Sequence, residues 1–171
     1  MRILMLSSTL LLAACGSSDT IRYKDSEGND RTINVQDKDG TRSVSSDDGL
    51  TRAKGTRGSA KARFPAFAPQ YPGANVQSVV DMDVGTGSTG GVKQHIITMA
   101  SPDTPEKVIA FYRTSISASG KSVKEAEGAT GPMLVVGGTN PLDAEGYVTA
   151  MANGAAGTSV NVVVQERVRP Q

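Results

Sequence analysis

Asp81 and His95 are the residues of this chain whose types could carry acid–base chemistry. An imidazole titrates near neutral pH, and a carboxylate behind it fixes its tautomer. As a general base, His95 would also need a nucleophile within hydrogen-bond reach, and the sequence contains no G-x-S-x-G elbow. It is the only histidine, and an ion-paired or surface side chain is the plainer reading. Asp81 and Asp83 stand at i, i+2 and would share one strand face, where two carboxylates could bind a cation or act as paired acids. Neutralisation across a neighbouring strand is the more ordinary explanation. Gly85-Thr86-Gly87-Ser88-Thr89-Gly90 fits the G-x-G-x-x-G string of phosphate loops. Those glycines lead from a strand into a helix whose amino end faces the anion; here a second β-prone run follows, which makes a hairpin loop. Cys15 is the single cysteine, so no internal disulfide forms, and one cysteine with one histidine makes no His/Cys metal site. No pattern in the sequence asks for a metal or a cofactor.

Both readings of Asp81 and His95 depend on the elements that position them. Val76, Val80, Met82 and Val84 read as one face of a strand with Asp81 and Asp83 on the other, and residues 92–100 read as the next strand. A hairpin closing Val84 onto Val92 sets Asp83 across from Lys93 and Asp81 across from His95. Such opposite-charge pairs contribute roughly 0.2–1 kcal/mol each. Ahead of the hairpin, residues 64–73 hold Phe64, Phe67, Tyr71 and three prolines, an extended lead-in that can pin the chain to a core. Beyond it, Asp103 or Thr104 caps a helix with Pro105 in its first turn and Glu106 at its positive end. Val108, Phe111, Tyr112 and Ser115, widened by Ile109 and Ile116, form its inner stripe, and Gly120 closes it as a left-handed cap. Strand-like runs follow at 121–126, 133–136, 147–151 and 159–167, the last two joined by a turn at 153–157. The order β-β-α-β-β-β-β over residues 64–171 predicts an α+β domain, an antiparallel sheet with one main helix packed on one face.

The amino terminus reads as a secretory leader. Arg2 gives a positive start, and residues 3–12 are apolar apart from Ser7, Ser8 and Thr9. Ten helical residues span about 15 Å, half of the roughly 30 Å of bilayer hydrocarbon, so the run is a signal core rather than a membrane span. It ends in Leu12-Ala13-Ala14-Cys15, which resembles the bacterial lipobox. The resemblance implies cleavage between Ala14 and Cys15, a diacylglyceryl thioether on Cys15 and an amide-linked chain such as palmitate on the new amino terminus. Two or more acyl chains give stable anchoring where one does not. The alternative is an ordinary leader that leaves Cys15 a free thiol. In a Gram-negative host, Gly16 and Ser17, neither of them aspartate, point to the outer membrane rather than the inner one, with the body in the periplasm.

Residues 15–63 form a lipid-anchored tether by composition, rich in Asp, Gly and Ser. Ile21, Tyr23, Ile33, Val35, Val44 and Leu50 are its only large apolar residues, too few to offset the ordering entropy of so long a stretch. Yet Asp39-Gly40 and Asp48-Gly49 are hairpin signals between β-prone runs, which leaves a choice between a frail β-meander and a flexible chain. A flexible one would reach about 35–40 Å root-mean-square. Its end is basic: Arg52, Lys54, Arg57, Lys61 and Arg63 with no acid among them. That run could contact an anionic lipid surface or envelope polymer, or could be solvated linker charge. The formal charge of +1 and the lack of interleaved aromatics give no nucleic-acid surface.

Tyr71-Pro72-Gly73-Ala74, the run 97–112 with its Ser-Pro-Asp-Thr-Pro-Glu-Lys and Phe111-Tyr112, and Met133-Leu134-Val135-Val136-Gly137-Gly138 together resemble a group of small, uncharacterised proteobacterial lipoproteins, sphingomonad ones especially. The shared motifs are structural, so the resemblance implies architecture and carries no catalytic residue. The leading expectation is a membrane-tethered periplasmic module, non-enzymatic, that binds or supports an envelope protein or polymer. One alternative is a small envelope-polymer enzyme or its accessory, with Asp81 and His95 as candidates. Another is a sensor of an apolar ligand, suggested by Met82, Met99, Met133 and Met151.

Overall fold

The computed structural model describes residues 18–24, 28–47, 51–58, 62–87, 90–128, 131–138, 144–154 and 157–168. The leader, the cleavage site between Ala14 and Cys15, and Lys61 lie outside them. The elements are β1 (Ser18–Lys24), β2 (Asp30–Lys38), β3 (Thr41–Ser46), β4 (Thr51–Arg57), β5 (Asn75–Gly87), β6 (Gly90–Ser101), α1 (Pro105–Ala118), β7 (Val123–Gly128), β8 (Gly131–Val136), β9 (Gly146–Ala152) and β10 (Thr158–Val168). The strands make one antiparallel sheet in the order β1-β2-β3-β4-β5-β6-β10-β9-β8-β7. Six strands pair in sequence order, β4 and β5 across the long lead-in at 58–74; α1 then carries the chain across one face to the far edge, and four more strands return until β10 closes on β6. This is the expected α+β arrangement of antiparallel sheet and single helix. β1–β4 pair in sequence order and join the sheet through β4, whose Thr51 to Arg57 pair with Val84 to Ser78.

The two halves of the sheet carry their apolar side chains on opposite faces, and the buried core cluster lies on the helix side alone. On the helix side, Ile97, Val162, Val148 and Leu134 lie in one cross-strand row, all fully buried. Val108, Ile109, Tyr112 and Ile116 of α1 cover the row from above, as the helical spacing predicts. The lead-in completes the lid with Phe67, Ala68, Tyr71 and Ala74. Tyr71, Phe111 and Tyr112 stack edge to face, with centroids 5.1 Å apart for Tyr71–Phe111 and for Phe111–Tyr112. The same helix-side rows continued into β1–β4 are polar: Asn34, Ser45, Arg52 and Asp83 in one, Gln36, Ser43, Lys54 and Asp81 in the next. There the apolar positions are the alternate ones, so they face the other way: Ile33, Val35, Val44, Ala53, Met82 and Val84.

One sequence expectation fails at a single residue. Val76 does not share a face with Val80, Met82 and Val84. A bulge between Val76 and Ser78 makes two steps on β5 match one on β6, with Val76 opposite Met99 and Ser78 opposite Thr98. The extra residue turns Val76 toward the helix-side core, where it packs against the buried cluster. Val79, on the same side, is 2% exposed. Thr104 takes the N-cap position without a side-chain capping bond, and Asp103 serves as a knot beside it. It accepts from the Tyr71 hydroxyl at 2.8 Å and Lys107 Nζ at 2.9 Å, while its carbonyl accepts from Thr158 at 2.5 Å. Gly120, at φ 76°, ends the helix in the left-handed conformation its position predicts.

Candidate functional site

The β5–β6 hairpin has the register read from its charges: Val84 opposite Val92, Asp83 opposite Lys93, Asp81 opposite His95. Asp81 Oδ1 lies 2.6 Å from His95 Nδ1. The other ring nitrogen is also occupied, because Nε2 accepts from the Arg63 backbone N–H at 3.4 Å. These two partners select the tautomer with the proton on Nδ1. A general base needs a free lone pair to take a substrate proton, and the lone pair here is met by the lead-in. The imidazole is one-fifth exposed and its carboxylate about two-thirds exposed. The pair works as a clasp that fastens the start of the lead-in to the hairpin.

Basic residues stand across from both carboxylates on either neighbouring strand. Lys54 of β4 stands across from Asp81, and Arg52 across from Asp83. Lys93 then faces Glu166 of β10, so the row Arg52, Asp83, Lys93, Glu166 alternates in sign over four strands. Alternation of this kind spreads small cross-strand attractions over the sheet and leaves no concentrated charge. The sequence-predicted basic run is therefore divided. Arg52 and Lys54 lie on the helix-side face among carboxylates. Arg57 points to the opposite face across from Ser78, and Arg63 is exposed beside the clasp. Among the described residues no group of three or more His, Cys, Asp or Glu could hold a metal ion.

The glycine-rich segment links strand to strand, as β5 ends at Gly87 and β6 begins at Gly90. A side chain at Gly91 would strike the carbonyls of Val84 and Gly85, so the glycines allow a bulged, tightly closed hairpin rather than a cradle at a helix terminus. No family model, curated protein or solved structure matches this chain.

The methionines do not gather around one space. Met99 is buried in the helix-side core, whereas Met82, Met133 and Met151 occupy the opposite face by register. The cleft lined by Ile109, Glu125, Ala126, Glu127, Pro132 and Met133 holds about 140 Å³. Sites for small organic ligands span about 300–1,000 Å³. Two features escaped the sequence reading. The Arg63 amide on His95 has no side-chain signature. The reversal of the apolar face was present as period-two spacing in Ile33/Val35 and Met82/Val84, but it becomes a face only once the strands are paired.

Proposed function

We propose that the protein is a lipid-anchored module of the cell envelope, held on the periplasmic face of the outer membrane by acyl chains on Cys15, where it binds or supports another envelope component without catalysing a reaction. The observation that carries this reading is Leu12-Ala13-Ala14-Cys15 placed behind a short apolar leader and ahead of the sheet. Only Gly16 and Ser17 stand between that cysteine and β1, a reach of about 10 Å when extended. The anchor then holds the β1 edge close to the headgroups, and the other strands project from it across the width of the sheet. The occupied lone pair of His95 supports a structural role for the one side chain suited to acid–base work.

The test is the mass and location of native protein. Intact mass spectrometry of material extracted from membranes should show cleavage before Cys15 and the added mass of the acyl chains. Cys15→Ser should leave the mature species absent from the membrane fraction, and Gly16→Asp should shift it from the outer to the inner membrane. An unmodified thiol at residue 15, or a leader still attached, refutes the reading.

A further inference from the structure

His95 is held by two hydrogen bonds of opposite sense. Its Nδ1–H donates to Asp81 Oδ1 at 2.6 Å, and its Nε2 accepts from the Arg63 amide at 3.4 Å. Because Nδ1 already carries the proton shared with Asp81, a second proton can enter the ring only at Nε2. An imidazolium is a donor at both nitrogens and keeps no lone pair. The new N–H would meet the Arg63 N–H, donor against donor, and the amide would lose its acceptor. We infer that the clasp is a proton switch: protonation of His95 leaves the ring on the hairpin and releases residues 62–64 of the lead-in from it.

The surroundings decide which of the two contacts yields. Asp81 of β5 gains an ion pair when the ring becomes cationic, and a charge-assisted hydrogen bond is stronger than a neutral one. That contact tightens. Arg63 is exposed and cationic, so the contact made by the lead-in gains nothing from charge on the ring. The rest of the face is mixed. Lys54 and Arg52 of β4 stand across from Asp81 and Asp83, and Lys93 precedes His95 by two residues on β6. From β10, uncharged Val164 lies opposite the ring and Glu166 opposite Lys93. The ring is one-fifth exposed, so a proton reaches it from solvent without unfolding. The release is local. Ala62 and Phe64 are half-buried at the margin of the helix-side core, whereas Phe67 and Ala68 are buried in it. The Ala68 amide also donates to the Pro65 carbonyl at 3.0 Å. The turn at 65–68 therefore stays seated while the segment ahead of it lifts. The inference holds whether or not Cys15 carries lipid.

The experiment follows single amides by NMR hydrogen exchange in the protein extracted from cells in detergent, between pH 8 and pH 5, the range in which imidazoles change charge. Dividing each rate by that of an unstructured peptide of the same sequence removes the intrinsic effect of pH. Protection of the Arg63 amide should fall at least about fivefold on acidification, the factor that one ordinary hydrogen bond contributes. Its midpoint should match the titration of the His95 ring protons. The Gly58 amide, which donates to the Gln77 carbonyl at 2.9 Å, should keep its protection throughout. In His95→Gln, whose side chain takes up no proton in this range, the step should vanish. An Arg63 amide unprotected at pH 8, a step that persists in His95→Gln, or a midpoint apart from that of the ring overturns the inference. A loss shared by Gly58 overturns it too, since it reports general loosening instead of a local release. Should the glutamine variant not fold, the two midpoints in the parent protein decide by themselves.

Discussion

Replacing Tyr112 by phenylalanine removes one oxygen from the centre of the fold and should make the protein more stable. The Tyr112 side chain is fully buried beneath α1, and its hydroxyl has no hydrogen-bond partner among the described residues; the Tyr71 amide points toward it without reaching bonding geometry. An unsatisfied buried hydroxyl costs about 1–3 kcal/mol in desolvation. Its deletion forfeits the dispersion contacts of one atom, on the order of 0.5–1 kcal/mol. The net expectation for Tyr112→Phe is a gain of about 0.5–2 kcal/mol, a rise in Tm of about 2–6 °C for a domain of this size. A second signature lies at alkaline pH. Burial raises the Tyr112 pKa far above its ordinary 10.0, so the folded state keeps a proton that the unfolded chain releases. Stability is therefore complete below about pH 10 and declines as the pH climbs beyond it. Phenylalanine cannot ionise, so the advantage of the variant should widen above pH 10. Urea unfolding at pH 7 and again above pH 10 reads both effects. A loss of about 1 kcal/mol or more at neutral pH, with an unchanged alkaline slope, would show that the hydroxyl is satisfied and the reasoning wrong.

Two further substitutions probe the packing. Gly146 of β9 lies under the Phe67 ring, whose Cζ would be 3.2 Å from an added Cβ, and against the Val163 carbonyl. Gly146→Ala should cost about 1–3 kcal/mol in chemical denaturation, as overpacking does. Asp103 is held below its ordinary pKa of 3.8 by its hydrogen bond from Lys107 and then by that from Tyr71. A depressed folded pKa contributes stability above the unfolded value and loses it as the pH falls through the folded one. The stability gap between the parent protein and Asp103→Asn should therefore be full near pH 6 and shrink steadily below about pH 4, measured by denaturation at each pH.

The sequence told most where charge and apolar residues alternate in register. Asp81/Asp83 against Lys93/His95 fixes a hairpin because only one pairing satisfies both carboxylates, and Pro105 and Gly120 bound a helix by their backbone preferences. It told less where a single residue decides. The bulge after Val76 breaks the alternation with no glycine or proline to mark it, and Val76 changes sides. In β1–β4 the serines, threonines and charges dilute the apolar positions to every second residue at most, so the composition resembles that of an unfolded chain although the strands pair in register. The clasp on His95 involves a main-chain amide, which any residue at position 63 except proline could supply.

The last strand of the chain is not the last strand of the sheet. β10 sits between β6 and β9, pairing with β6 along Thr158 to Val168. A chain synthesised amino end first can pair β1 to β6 early, but the seam beside β6 stays open until residues 158–168 have been made. Nascent or clipped chains that stop short of residue 158 would display the raw flanks of both β6 and β9, the kind of unpaired rim that recruits other strands. Residues 158–168 are thus the keystone of the sheet.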